Sequence, residues 1–180
     1  MKLKLSFALC ALLACVPASA TCEAPGQPFS RVGYVANSAI YVEQGETKII
    51  MDMFIESGFG KYRQVPARFK EALANDDYNF AGIDAVFVSH AHDDHFDARG
   101  VISYMRGHPD VRLYAPKQAV DQMRLLFANG SEIFERVTEI DLTVGEIANH
   151  DIGGIKVEAI RIPHSGGERH AAVANIVYRV

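Results

Sequence analysis

Four candidate metal ligands, His90, His92, Asp94 and His95, fall within six positions, in the run His90-Ala91-His92-Asp93-Asp94-His95. Imidazole nitrogen and carboxylate oxygen are ligand types that zinc accepts, and the absence of cysteine from the run argues against a closed structural zinc site. In an extended segment residues two apart point the same way, so His90 and His92 can grip one ion. Asp94 and His95 then fall on the following bend, where they can face a neighbouring ion or orient a bound water, which makes Asp94 the candidate catalytic residue. The competing reading is a solvated acidic loop whose histidines are incidental. A cluster this dense, buried without a metal, would need many hydrogen-bond partners to offset desolvation, and the surrounding sequence implies none.

Two histidines leave zinc under-coordinated, so a third ligand is expected from the end of another strand. His164 fits, because it follows the strand-like run 157–162 and sits between Pro163 and Ser165-Gly166-Gly167, a strand-to-loop transition like the one at His90. His170 lacks that placement and reads as incidental, while His108 and His150 read as loop residues. Three imidazoles with an open fourth position are a catalytic zinc arrangement, in which the metal lowers the pKa of its water to about 7 and makes hydroxide available at neutral pH. The reaction this suits is hydrolysis, with one or two zinc ions. A second ion held partly by Asp94 and His95 would bridge the same hydroxide and stabilise charge on the leaving group.

These residues work only if separate strands end at one place. Residues 32–42 and 47–55 read as the two strands of a hairpin, broken by the turn residues Gln44-Gly45-Glu46. A loop at 56–65 leads into a helix at 67–74, which Asn75-Asp76-Asp77 ends. The run Ala85-Val86-Phe87-Val88 is short, continuous and apolar, as suits a strand buried on both faces, and the histidine cluster lies at its C-terminal end. Asp97 can cap a helix running to about Arg106, 111–115 reads as a strand, and 117–128 as a helix ended by Asn129-Gly130. Segments 134–142, 146–152, 156–162 and 172–180 return to strand-like alternation. Strand and helix alternate in the middle of the chain, so the expected architecture is a mixed sheet with helices outside.

The run Val86-Phe87-Val88-Ser89-His90-Ala91-His92-Asp93-Asp94-His95 resembles the H-x-H-x-D-H signature of the metallo-β-lactamase superfamily. The hairpin ending in Ile49-Ile50-Met51-Asp52 resembles that superfamily's early strand, and Pro163-His164-Ser165-Gly166 resembles its third histidine motif. The resemblance implies an α/β fold, the metallo-β-lactamase-like αββα sandwich, with a one- or two-zinc site at one edge of the sheets. By the same resemblance His90, His92 and His164 would bind the first ion, Asp94 and His95 would contribute to the second, and Asp52 would lie behind them. The family pattern continues with a Gly-Asp motif and a final histidine, neither of which has a counterpart before Val180. The domain at 31–180 is therefore expected to be incomplete in its C-terminal half: a truncated frame, or half of a site completed elsewhere, with 172–180 as an uncovered edge strand.

Ester, lactone, lactam, thioester and phosphoester substrates all suit such a fold, and loop 56–65 is the one candidate for setting the choice. Two rivals use the same residues. One is a non-catalytic metal-binding remnant of the fold, and the other is an iron-dependent oxidoreductase with His90, His92, Asp94, His95 and His164 around the iron.

A length of 180 residues suits one domain with a real core. Its 49% hydrophobic and 22% charged residues exclude a disordered or collagen-like chain. Lys2 and Lys4 precede an apolar run at 5–16, followed by Pro17, Ala18, Ser19 and Ala20, the pattern of a secretory signal peptide cleaved after Ala20. Residues 1–20 are therefore read as the signal and 21–30 as a linker, and the protein is expected in the periplasm or outside the cell. Two alternatives are a buried N-terminal helix, and a lipobox at Leu12-Leu13-Ala14-Cys15 that would anchor the protein to a membrane through Cys15. After cleavage only Cys22 remains, which excludes an internal disulfide. The chain is acidic, with a net charge of −4, and shows no clustered basic face. A small-molecule substrate is expected and a nucleic-acid partner is not.

Overall fold

The computed structural model describes residues 29–55, 57–127 and 132–180. The signal reading at 1–20, the lipobox at Cys15, nearly all of the 21–30 linker and the helix stop at Asn129-Gly130 lie outside the described residues.

A six-stranded sheet runs in the order β1 (Ser30–Ala36), β2 (Ala39–Gln44), β3 (Thr47–Met51), β4 (Ala85–Phe87), β5 (Arg112–Pro116) and β6 (Val137–Ile140). The first three strands pair antiparallel, and β3 through β6 pair parallel. The expected single strand at 32–42 is in fact two, because the chain reverses at Asn37-Ser38. Asn37 takes a left-handed backbone with φ of 36°, which a short polar side chain tolerates. Apolar residues continue on both sides of that reversal, so the hydrophobic pattern passes over it.

Helices α1 (Ala67–Ala74), α2 (Ala98–Gly107) and α3 (Lys117–Leu126) supply the apolar layer for one face of this sheet. Each buries one stripe: Ala72 and Leu73, then Val101, Ile102 and Met105, then Ala119, Val120 and Met123. Asp97 caps α2 as expected, its side chain accepting from the Arg99 amide. Segment 134–142 begins differently from its expected strand. Residues Glu132–Arg136 form a 3₁₀ helix, and only then does β6 start. The reason is Arg136, whose guanidinium donates to the carbonyls of Met105, His108 and Val111 and pins this segment under the end of α2.

The other face of the large sheet is covered by a second, antiparallel sheet of β7 (Ile147–Ile152), β8 (Ile155–Ile162) and β9 (Asn175–Arg179). Ile155, Val157, Ala159 and Ile176 from this sheet meet Val42, Ile49 and Phe87 from the first in a second core. Phe87 stacks on Tyr114 at 4.8 Å and meets the edge of Tyr178 at 5.0 Å. His150 lies on β7 rather than in a loop, with its ring 4.9 Å from that of Tyr114. Antiparallel pairing with β8 along its whole length carries that strand, and the histidine occupies one of its inward positions. Among the described residues the layers are helix, sheet, sheet, and Ile147, Ile160 and Val177 stand in register on the outer side of β7–β9. No helix of the described residues is long and apolar enough to cross a membrane.

Because β3, β4 and β5 are parallel, their C-terminal ends open on one edge of the sheet, the side on which α/β proteins place their ligands. The second sheet is fastened to that edge. The Ile176 amide donates to the Ser89 carbonyl at 2.9 Å and the Tyr178 hydroxyl to the Val88 carbonyl at 2.7 Å.

Candidate metal centre

Met51 of β3 lies beside Phe87 of β4, so the residues that follow each strand emerge together. Asp52 leaves β3 in a left-handed conformation with φ of 45°, which turns its carboxylate back toward the end of β4. There Oδ1 accepts from the Ser89 amide at 2.8 Å and Oδ2 from the Ser89 hydroxyl at 2.6 Å. The same Oδ2 lies 2.8 Å from His95 Nδ1. Asp52 is 4% exposed, and these three donors account for its burial as a charge.

Those bonds fix the imidazole tautomers. A carboxylate only accepts, so His95 carries its proton on Nδ1 and leaves the Nε2 lone pair free. The Ser89 proton is committed to Asp52, so its hydroxyl accepts from His90 Nδ1 at 3.0 Å, and His90 Nε2 is also a bare lone pair. His164 donates from Nδ1 to the Ser165 carbonyl at 2.6 Å, with the same result. His90 is 3% exposed and its pKa is lowered to about 3, first by burial and then by the neighbouring imidazoles of His95, His92 and His164, so it is neutral at ordinary pH. Burial, then the His164 ring, lower His92 as well.

With both rings neutral, His90 Nε2 and His164 Nε2 face each other at 3.3 Å as two lone pairs. Two acceptors at hydrogen-bond distance repel unless something positive lies between them. Two nitrogens bound at about 2.0–2.1 Å to one tetrahedral zinc stand about 3.3 Å apart. The donor set therefore fits a metal ion. His90, His92 and His164 each offer a ligand atom, with all three atoms within 4.8 Å of one another, and His90, Asp94 and His95 form a second such group. Asp94 Oδ2 is 3.8 Å from His95 Nε2.

The five residues singled out in the sequence thus come together at one edge, although two of them, His90 and His164, come from different sheets. His170, expected to be incidental, stands with them: its ring centroid is 5.0 Å from that of His164 and 5.4 Å from that of His92. The short helix Gly167–His170 folds back over Gly166, whose φ of 100° creates the return. Spacing from a strand end could not show this. The one local signal is the Gly166-Gly167 pair, which permits a chain reversal. His108, by contrast, belongs to neither ligand group, and its Nδ1 donates to the Tyr104 carbonyl at the end of α2.

The clustered residues line an open cavity of about 760 Å³ that also takes in Phe59, Lys61 and Tyr62 from the 57–64 loop, and Arg169. That loop is built onto the cluster, because the Ser57 amide donates to the Asp93 carbonyl at 2.9 Å. On the opposite flank Asn37 Nδ2 donates to the Asp94 carbonyl at 2.8 Å, so the turn missed in the sequence helps hold the bend.

Residues 49–180 match the family model described as the beta-lactamase superfamily domain. Over 65 residues the chain is 34% identical to the UPF0173 metal-dependent hydrolase of Alkaliphilus metalliredigens (strain QYMF), a stretch that is 36% of this chain and 23% of that protein. Among solved structures, a protein from Parabacteroides distasonis ATCC 8503 is similar over 84% of this chain and 60% of its own, with 15% identity and a TM-score of 0.49. CmlA, a diiron beta-hydroxylase from Streptomyces venezuelae, is similar over 83% of this chain and 27% of its own, with 16% identity and a TM-score of 0.49. The chain thus spans less than two thirds of the length of each of these relatives. With the family model covering most of the chain, from β3 through the last strand, the protein belongs to the beta-lactamase superfamily and has the metallo-β-lactamase fold.

Proposed function

We propose that this chain is an exported, zinc-dependent hydrolase. The observation that carries the reading is the approach of His90 Nε2 and His164 Nε2 to 3.3 Å, each ring having its other nitrogen engaged, a geometry that suits two ligands of one cation. His90, His92 and His164 would hold the first ion, and Asp94 with His95 a second. Bound zinc would supply Lewis acidity and hydroxide near neutral pH. Asp94 orients the attacking water and accepts its proton. The water oxygen bonds to the carbonyl or phosphoryl centre, the bond to the leaving atom breaks, and the leaving atom takes up the proton that Asp94 accepted. Asp52 and Ser89 keep the imidazoles in the tautomers this requires. Substrates are small molecules with an ester, lactone, lactam, thioester or phosphoester bond. Export is supported by Lys2, Lys4 and the apolar run at 5–16, and the mass of the secreted protein is expected to show cleavage after Ala20.

The test is metal analysis of the purified full chain together with a panel of those five bond types. One or two zinc ions and turnover of at least one class, both abolished in His164→Ala, are expected. Bound iron with a visible absorption band would replace the reading with an oxidoreductase, and one zinc without turnover would reduce it to a metal-binding remnant.

A further inference from the structure

The rim of the metal cavity has a chemistry of its own. The turn Gly58-Phe59-Gly60-Lys61-Tyr62 is tightly closed, with the amides of Lys61 and Tyr62 both donating to the Gly58 carbonyl at 2.8 Å and the Phe59 amide donating to the Ser57 hydroxyl at 3.1 Å. Gly58 is required there, since a Cβ would run into the Tyr62 carbonyl. Phe59, a bulky residue, is held at φ of 48°, a conformation that costs energy and persists only when the surroundings impose it. That strained turn holds Phe59 and Tyr62 56% and 47% exposed at the mouth of the cavity, where burial in the core would have been the default for two aromatic rings. The tie from Ser57 to Asp93 fixes the turn to the same bend that carries Asp94.

Two cations line the same cavity, Lys61 from this turn and Arg169 from the short helix after His164. In an acidic chain most basic side chains of the described residues are engaged by carboxylates, carbonyls or rings, as Lys48, Lys117, Arg124, Arg136 and Lys156 are. Neither Lys61 nor Arg169 takes part in an ion pair among the described residues, and both are exposed. The carboxylates on the cavity wall are Asp93 and Asp94, on the opposite, metal-facing bend. One side of the cavity therefore offers ligands for cations, and the rim offers free cations beside aromatic faces.

We infer that the site selects small anionic substrates, with a carboxylate or phosphate held by Lys61 and Arg169 and an adjoining aromatic or apolar group laid on Phe59 and Tyr62. This inference rests on the hydrolase reading for which bond is cut, and on the rim alone for what is bound. Planar guanidinium and ammonium donors suit either anion, and exposed aromatic faces favour an apolar neighbour over a free inorganic ion.

Binding of phenyl phosphate, benzoate, neutral benzamide and inorganic phosphate to the full chain is measured by calorimetry, before and after divalent ions are stripped with a chelator. On the stripped protein the two aromatic anions are expected to bind about fivefold more tightly than benzamide, with the difference shrinking in high salt. Whichever anion leads, the inference stands and the charged group of the substrate is named. Lys61→Gln with Arg169→Gln is expected to abolish the preference while leaving zinc content unchanged. Tyr62→Ala is expected to bring phenyl phosphate down to the level of inorganic phosphate. Equal binding of benzamide and benzoate, or a preference that survives in the double variant, overturns the inference. A wild-type chain that takes up no zinc yet keeps the preference overturns the hydrolase reading and leaves the rim assignment standing.

Discussion

Asp52 does not line the cavity, yet three hydrogen bonds make it the residue on which the imidazole tautomers depend. Asp52→Asn would set an amide N–H₂ or a single carbonyl against the donors Ser89 Oγ and His95 Nδ1, both of which need an acceptor. Metal affinity is expected to fall by about 10- to 100-fold, read by chelator competition, with the fold retained by circular dichroism. Gly166→Ala acts from the other side: its φ is 100° and a Cβ would collide with the His170 ring, so the loop carrying His164 must shift. The expected result is loss of at least about tenfold in metal affinity, with little change for Gly154→Ala, whose φ is also 100° but which lies at the opposite end of β8 from His164. Acid has a predictable effect on the chelator-treated protein. Folding holds the His90 pKa at about 3 against 6.5 for a free imidazole, so between those values the unfolded chain binds a proton that the folded chain refuses. Stability is complete above pH 6.5 and is lost as pH falls toward 3, and a denaturation midpoint that stays flat across this window would contradict the assignment. The ligand candidates were legible because each follows a strand end with an obvious apolar run. His170 was not, because its position comes from a left-handed glycine and a single turn of helix, neither of which leaves a periodic mark.

At the scale of elements, the parallel strands and their helices followed from alternation of short apolar runs with amphipathic stretches. The exceptions were decided by interactions distant in sequence. The start of 134–142 has the apolar character of a strand, but Arg136 needs to reach three carbonyls at the end of α2 and the start of β5, and a 3₁₀ turn puts it there. Those carbonyls include ones that a helix terminus leaves without partners. Arg136→Ala is therefore expected to cost about 2–3 kcal/mol in chemical denaturation, with Arg136→Lys recovering part of the loss because one ammonium cannot span all three acceptors. A cost within about 0.5 kcal/mol, the range of an ordinary surface change, would show that the three bonds are replaceable by water. The split of 32–42 into β1 and β2 has the opposite character: its signal, Asn37-Ser38, was present but only two residues long, and the reversal matters because Asn37 then braces Asp94.

The whole molecule is two sheets that share a core around Phe87, and the candidate centre straddles the line where they meet. His90 and His92 belong to the loop leaving the larger sheet and His164 to the loop leaving the smaller one, while Ile176 and Tyr178 hold the two edges together. An ion at that point is a cross-link between sheets, so its binding energy is also folding energy. The fold class and the convergence of distant histidines were readable from the chain because the strand ends on which they sit were readable. The rim at 57–64 was visible only as a loop, since its function depends on which way a strained turn aims its side chains.

The most direct measurement is zinc uptake by the chelator-stripped full chain, followed by mass spectrometry and thermal denaturation, in the wild type and in His164→Ala. Tight binding of one or two ions is expected, with stabilisation of about 4 kcal/mol when free zinc is about a thousandfold above its dissociation constant, and loss of both effects in the variant. A wild-type protein that binds no zinc, or a His164→Ala protein that binds and is stabilised equally well, would contradict the convergence of the two sheets on one ion.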